Sequence, residues 1–151
     1  MKKILFVCHG NICRSPMAEF IMKDIVHRNK KDEDYLIHSA ATSNEEIGND
    51  VYYKAKEILK EENIPFTKHQ ARRIQKRDYE TFDYIIVMDE ENLFSLRSII
   101  PKDPYHKIYK LKHFIERNDD IIDPWYSRNF SLAFREISRC CENLFLLLEN
   151  K

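Results

Sequence analysis

Glycine is almost missing from this chain: Gly10 and Gly48 are the only two in 151 residues. Each follows an apolar run, so backbone freedom is concentrated in two loops that need unusual angles or close approach. Net charge is missing as well. The 25 basic and 25 acidic residues cancel, which argues against nucleic acid or an anionic membrane as an obligatory partner. The one basic stretch, with Lys68, Arg72, Arg73, Lys76 and Arg77, is expected to be a solvated face. No apolar run nears the roughly 18 residues of a membrane span. The run after Met1-Lys2-Lys3 is four residues, against about 7–15 for a secretory signal. A cytoplasmic location is therefore expected.

Cysteine is sparse and oddly placed. Cys8 and Cys13 lie near the start, Cys140 and Cys141 near the end, and none falls from Thr42 to Arg139. A chain of this length forms a core without staples, and the spacing is no secreted disulfide framework. Adjacent cysteines on one helix point in different directions, so Cys140 and Cys141 are expected as core and flank residues, with no metal. At 151 residues the chain is expected to be a single domain, residues 1–151, with one well-buried core.

What is present alternates between strand and helix patterns. Ile4-Leu5-Phe6-Val7, Tyr35–Ala40 and Tyr84–Met88 read as strands, the last apolar throughout and so central. Lys107–Leu111 alternates and suits an edge strand. Ser15 and Pro16 fit the N-cap and first position of a helix carrying Met17, Phe20, Ile21 and Ile25. Asp50 is expected to cap a second helix with Val51, Ala55, Ile58 and Leu59, and Asp89 a third with Leu93, Leu96, Ile99 and Ile100. The last helix is the clearest, with Phe130, Ala133, Phe134, Ile137, Cys141, Leu144, Phe145 and Leu148 at helical spacing. Right-handed crossovers allow few arrangements of such units. The prediction is an α/β fold: a four-stranded parallel sheet in the flavodoxin-like order 2-1-3-4, with helices on both faces. Ligands then bind outside the carboxyl ends of the central strands.

Cys8-His9-Gly10-Asn11-Ile12-Cys13-Arg14-Ser15-Pro16 falls at that place, between the first strand and the first helix. A loop entering a helix turns its N–H groups towards an anion. Those dipoles, and a guanidinium six positions on, favour the thiolate of Cys8. Arg14 adds a planar fork that matches two phosphate oxygens. Nucleophile, cradle and clamp thus sit in one short loop, His9 through Arg14 supplying the amides. Asp123-Pro124-Trp125-Tyr126 supplies a carboxylate whose backbone Pro124 restricts to an extended form, a candidate proton donor.

Val7-Cys8-x-Gly10-Asn11-Ile12-Cys13-Arg14-Ser15-Pro16, together with Asp123-Pro124-Trp125-Tyr126, resembles the low-molecular-weight protein tyrosine phosphatase family over nearly the whole chain. The resemblance implies a phosphocysteine intermediate on Cys8, phosphate held by Arg14 and the loop amides, and Asp123 as general acid and then base. It implies that Ser15 hydrogen-bonds the thiolate, and that Asn11, in a left-handed conformation, is braced by Ser39 and His69. Trp125 and Tyr126 would wall the crevice, with core packing the alternative for Trp125. Glu45 stands where an aromatic residue is usual, and Arg128 where glycine is commoner. No cofactor is implied. The partner would be a phosphotyrosine-containing protein, and the chain a monomer or weakly self-associating. Cys13 is a candidate redox guard for Cys8.

Three other readings compete. A thioredoxin-coupled arsenate reductase of similar fold needs a resolving cysteine pair in the region that has none. A phosphate-binding or thiol redox module without turnover would have no use for Asp123. Phosphoarginine phosphatases resemble the same loop but carry threonine at the position of Ile12, so Ile12 favours phosphotyrosine, while Glu45 at the rim pulls the other way.

Overall fold

The apolar runs become four parallel strands: β1 (Lys2–Cys8), β2 (Tyr35–Ala41), β3 (Tyr84–Val87) and β4 (Ile108–Lys110). They form one sheet in the order β2-β1-β3-β4. The computed structural model describes every residue, Met1–Lys151. β1 is central: Phe6 pairs with Ser39 on one side and Ile86 on the other. Ile4, Leu5, Phe6 and Val7 are fully buried, as expected of a strand covered on both faces. Alternation along β1 divides them between two cores. Ile4 and Phe6 join the larger cluster, Leu5 and Val7 the smaller.

The larger core is covered by α1 (Arg14–Arg28), α2 (Tyr53–Glu61) and α6 (Phe130–Glu149). The smaller lies beneath α3 (Asp78–Thr81) and α4 (Glu90–Leu96). A single turn, α5 (Pro124–Ser127), precedes α6. None of these helices is long and apolar enough to cross a membrane.

Several boundaries differ from expectation. α1 starts two residues earlier, with Cys13 at the N-cap and no side-chain cap. Ser15 is thus inside the helix, and Pro16 is its third residue rather than its first. Proline is tolerated there because first-turn N–H groups have no intrahelical partner. Asp50 does not cap α2, which begins at Tyr53 and leaves Val51 outside. Its carboxylate accepts from the N–H groups of Val51 (2.7 Å) and His69 (3.1 Å), tying two loops together. Asp89 does cap α4, accepting from Asn92 N–H at 2.7 Å, but the helix ends before Ile99 and Ile100. Both Cys140 and Cys141 are buried, so neither is a flank residue. The cause is α6 packing on two sides, against α1 and against the 3-10 turn Leu111–Ile115.

Of the two glycines only Gly48 takes a left-handed angle, at φ +87°. In the first loop that role passes to Asn11, at φ +61°, a conformation asparagine tolerates.

Candidate active site

Cys8 is the last residue of β1, and the chain turns back over it before entering α1. Of the backbone N–H groups of His9 through Arg14, only that of Asn11 has an acceptor in the protein, the Cys8 sulfur at 3.3 Å. The others remain free donors at the start of a helix, the arrangement that suits an anion. Ser15 Oγ stands 3.0 Å from the sulfur and accepts from Asn11 Nδ2 at 2.8 Å. The hydroxyl has one hydrogen to give. The sulfur is nearer than the Ala40 carbonyl at 3.5 Å, and either Ser15 or Cys8 can be the donor in the closer contact.

Asn11 is wholly buried and braces the loop. Its side-chain oxygen accepts from Arg72 N–H at 3.2 Å, and its carbonyl accepts from His69 Nε2 at 2.8 Å. His69 is therefore where the sequence expected it. Ser39 is not. Its hydroxyl donates to Glu19 Oε1 at 2.6 Å, because buried Glu19 on α1 needs a donor and faces Ser39 across the β2 side of the sheet. Ser15 and Arg72 fill the place assigned to Ser39.

The Arg14 side chain is only 3% exposed. Nη1 donates to Asp89 at 2.7 Å and to the Ile121 carbonyl at 2.6 Å, while Nη2 lies 3.6 Å from Asp123 Oδ2. Burial opposes its charge, but Cys8, Asp89 and Asp123 outweigh burial and raise its pKa. Asp123 sits at the N-cap of α5 in an extended conformation, with Pro124 next, and accepts from Trp125 N–H at 3.0 Å. A cavity of about 140 Å3 opens between these groups, reaching Cys8, Ile12, Arg14, Glu45, Asp123 and Trp125. Trp125 is 41% exposed and Tyr126 82%, so both are wall and rim, and Trp125 is no core residue. Glu45 faces the opening and holds His9 Nε2 at 2.9 Å.

A family model for low molecular weight phosphotyrosine protein phosphatases matches residues 3–151. The chain belongs to this family. It is 38% identical to the Bacillus subtilis low molecular weight protein-tyrosine-phosphatase YfkJ, over all of this chain and 98% of that one. The crystal structure of YfkJ superposes with a TM-score of 0.94, covering 99% and 96% of the two chains. The human low molecular weight phosphotyrosine protein phosphatase is 41% identical over 93% of this chain and 91% of its own. A Drosophila arginine phosphatase superposes too, with a TM-score of 0.88 at 32% identity, covering 98% of each chain.

In this phosphatase three neighbours of the site escaped the sequence reading. Asp89 was read only as a cap, yet it also holds Arg14. Its place immediately after a central strand, at the carboxyl edge where the crevice lies, was the available signal. The Ile121 carbonyl carries no signal in sequence. Tyr52 backs Trp125, ring to ring at 4.8 Å, and is distant from it in the chain. Cys13, by contrast, is where the motif put it, and burial first and Cys8 second push its thiol well above the ordinary range.

Proposed function

We propose that this phosphatase hydrolyses phosphotyrosine in proteins, through a phosphocysteine on Cys8, and that residues 1–151 work as a single domain in the cytoplasm, without a metal or cofactor. The observation carrying the reading is the ring of free amide donors around a sulfur that already accepts from Asn11 N–H and lies beside Ser15 Oγ. Cys8 Sγ attacks phosphorus, and the bond from phosphorus to the tyrosine oxygen breaks. Protonated Asp123 gives its proton to that oxygen, so that a neutral phenol leaves. The amides of residues 9–14 and the Arg14 fork bind the equatorial oxygens, where preorganised donors are worth most. Asp123, now a carboxylate, takes a proton from the water that cleaves the phosphorus–sulfur bond. Ser15 eases departure of the sulfur by donating to it.

Phosphotyrosine rather than phosphoarginine is favoured by the walls. Ile12 and Trp125 give a ring apolar contact and an aromatic face. Glu45 alone would favour a cationic side chain, and the similarity to an arginine phosphatase keeps that second reading alive. Its carboxylate is already held by His9, however, and an exposed pair at such a rim is worth about 0–1 kcal/mol. Kinetics on matched phosphotyrosine and phosphoarginine peptides test this. A higher kcat/KM on phosphotyrosine is expected, and a higher value on phosphoarginine would overturn the assignment.

A further inference from the structure

Lysine is almost never fully buried unless it is paired, and this chain buries two, only two positions apart in sequence. The side chains of Lys110 and Lys112 are 7% and 3% exposed. Lys110 ends β4 and Lys112 lies in the 3-10 turn that follows. Lys110 Nζ donates to the Asn118 carbonyl at 2.7 Å, lies 2.8 Å from Asp120 and is 3.4 Å from Glu90. Lys112 Nζ bridges Asp119 and Glu136, each at 2.7 Å. Burial opposes both charges, yet the hydrogen bonds to carboxylates outweigh it and both ammonium groups are held above their ordinary pKa.

Three of these partners, Asn118, Asp119 and Asp120, belong to one irregular segment. That segment runs on to Ile121 and Asp123. Between residues 118 and 123 only one backbone hydrogen bond reaches the sheet side, from Ile121 N–H to the Met88 carbonyl at 2.9 Å. The Ile121 carbonyl accepts from Arg14, and its side chain is fully buried. Thus a segment with almost no secondary structure carries Asp123 over Cys8, and two ammonium groups fix it just upstream. The anchors are spread on the scaffold: Glu90 belongs to α4 and Glu136 to α6.

We propose that Lys110 and Lys112 are positioning residues for Asp123, clamping the 118–120 segment so that its carboxylate stays at the mouth of the phosphate loop. This rests on reading Asp123 as the proton donor. Asp119 is also held by Arg117 of its own segment, at 2.8 and 2.7 Å, but only Lys112 links it to Glu136 on α6; without Lys112 that tie to the scaffold is lost and the segment is free to shift. A displacement of Asp123 by about 1 Å is enough to cost up to 100-fold in rate. Cys8 and the loop amides belong to other elements, and Arg14, though it also meets the Ile121 carbonyl, keeps its pair with Asp89, so anion binding should be largely spared.

Lys112→Met and Asp119→Asn test the clamp, the second leaving Lys112 paired with Glu136 and so sparing the fold. Both are measured on aryl phosphates of graded leaving-group pKa, beside Asp123→Asn as the control. Expected is a loss in kcat of about tenfold or more for poor leaving groups, little loss for good ones, and an unchanged inhibition constant for inorganic phosphate. Lys112→Arg should restore most of the loss. If folded Asp119→Asn and Lys112→Met match the parent, or lose equally across the series while Asp123→Asn does not, the clamp is refuted. If Asp123→Asn itself loses equally across the series, it is the proton-donor reading that fails.

Discussion

Replacing Asp89 tests how the clamp on phosphate is held in place. Its Oδ2 meets Arg14 Nη1 at 2.7 Å, where Arg14 is 3% and Asp89 14% exposed, and its Oδ1 caps α4 through Asn92 N–H at 2.7 Å. Asp89→Ala removes both contacts; Asp89→Asn keeps a good cap and removes the charge. Losing a cap costs about 1 kcal/mol. Breaking a buried ion pair by removing one partner costs about 3–5 kcal/mol. Here the Ile121 carbonyl and Asp123 still face the guanidinium, which holds the charge term to the lower end of that range. Asp89→Asn should therefore lose about 3 kcal/mol and Asp89→Ala about 1 kcal/mol more, read from urea unfolding at neutral pH. Inorganic phosphate should also inhibit both variants more weakly, because the fork is no longer aimed. A loss below about 0.5 kcal/mol in Asp89→Asn, with normal phosphate inhibition, would refute the reasoning, since only the cap would then matter.

Other consequences are separate. Arg128 closes α5 at φ +63°, a conformation that costs a side chain about 1–2 kcal/mol, so Arg128→Gly should raise the unfolding midpoint; an unchanged or lower midpoint would contradict the strain. Asp103 accepts from Tyr79 Oη at 2.6 Å and from the N–H groups of Lys107 and Ile108, and although burial opposes ionisation these bonds outweigh it and lower its pKa below 3.8. A carboxyl depressed on folding contributes stability above its unfolded pKa and loses it as pH falls through the folded one. Unfolding free energy should thus drop below about pH 4, with a shallower slope in Asp103→Asn; an identical slope would exclude the group. For Cys13, the buried thiol stays protonated beside Cys8, so peroxide should attack Cys8 first and Cys13 should then close a disulfide on it. Reactivation by thiol after peroxide should be much poorer in Cys13→Ser, and equal recovery would remove the guard role.

The residues with local patterns were legible, and those defined by distant partners were not. Apolar β3 pointed to a central strand and β1 to a buried one, and with the crossover rule they led to the observed sheet order. Cys8 and Arg14 were legible because their chemistry needs a fixed spacing within one loop, and Asn11 because its left-handed turn and its bond to His69 serve that loop. Ser39 failed since the acceptor it meets, Glu19, lies on a different element. For Ser15, helix grammar pointed to a cap, which it is not, while the family resemblance pointed to the sulfur, beside which its hydroxyl lies. Lys110 falls in the run that suits an edge strand and Lys112 just beyond it; nothing there announces that carboxylates from residues 119, 120 and 136 fold over them.

The central claim is covalent transfer of phosphate to Cys8. The most direct measurement is intact-protein mass spectrometry of Asp123→Ala, quenched in acid during turnover of an aryl phosphate with a good leaving group. Loss of the general base should slow hydrolysis of the intermediate, so the account predicts a single phosphoryl adduct that maps to Cys8 and is missing in Cys8→Ser. Turnover by Cys8→Ser, or an adduct on any other residue, would contradict it.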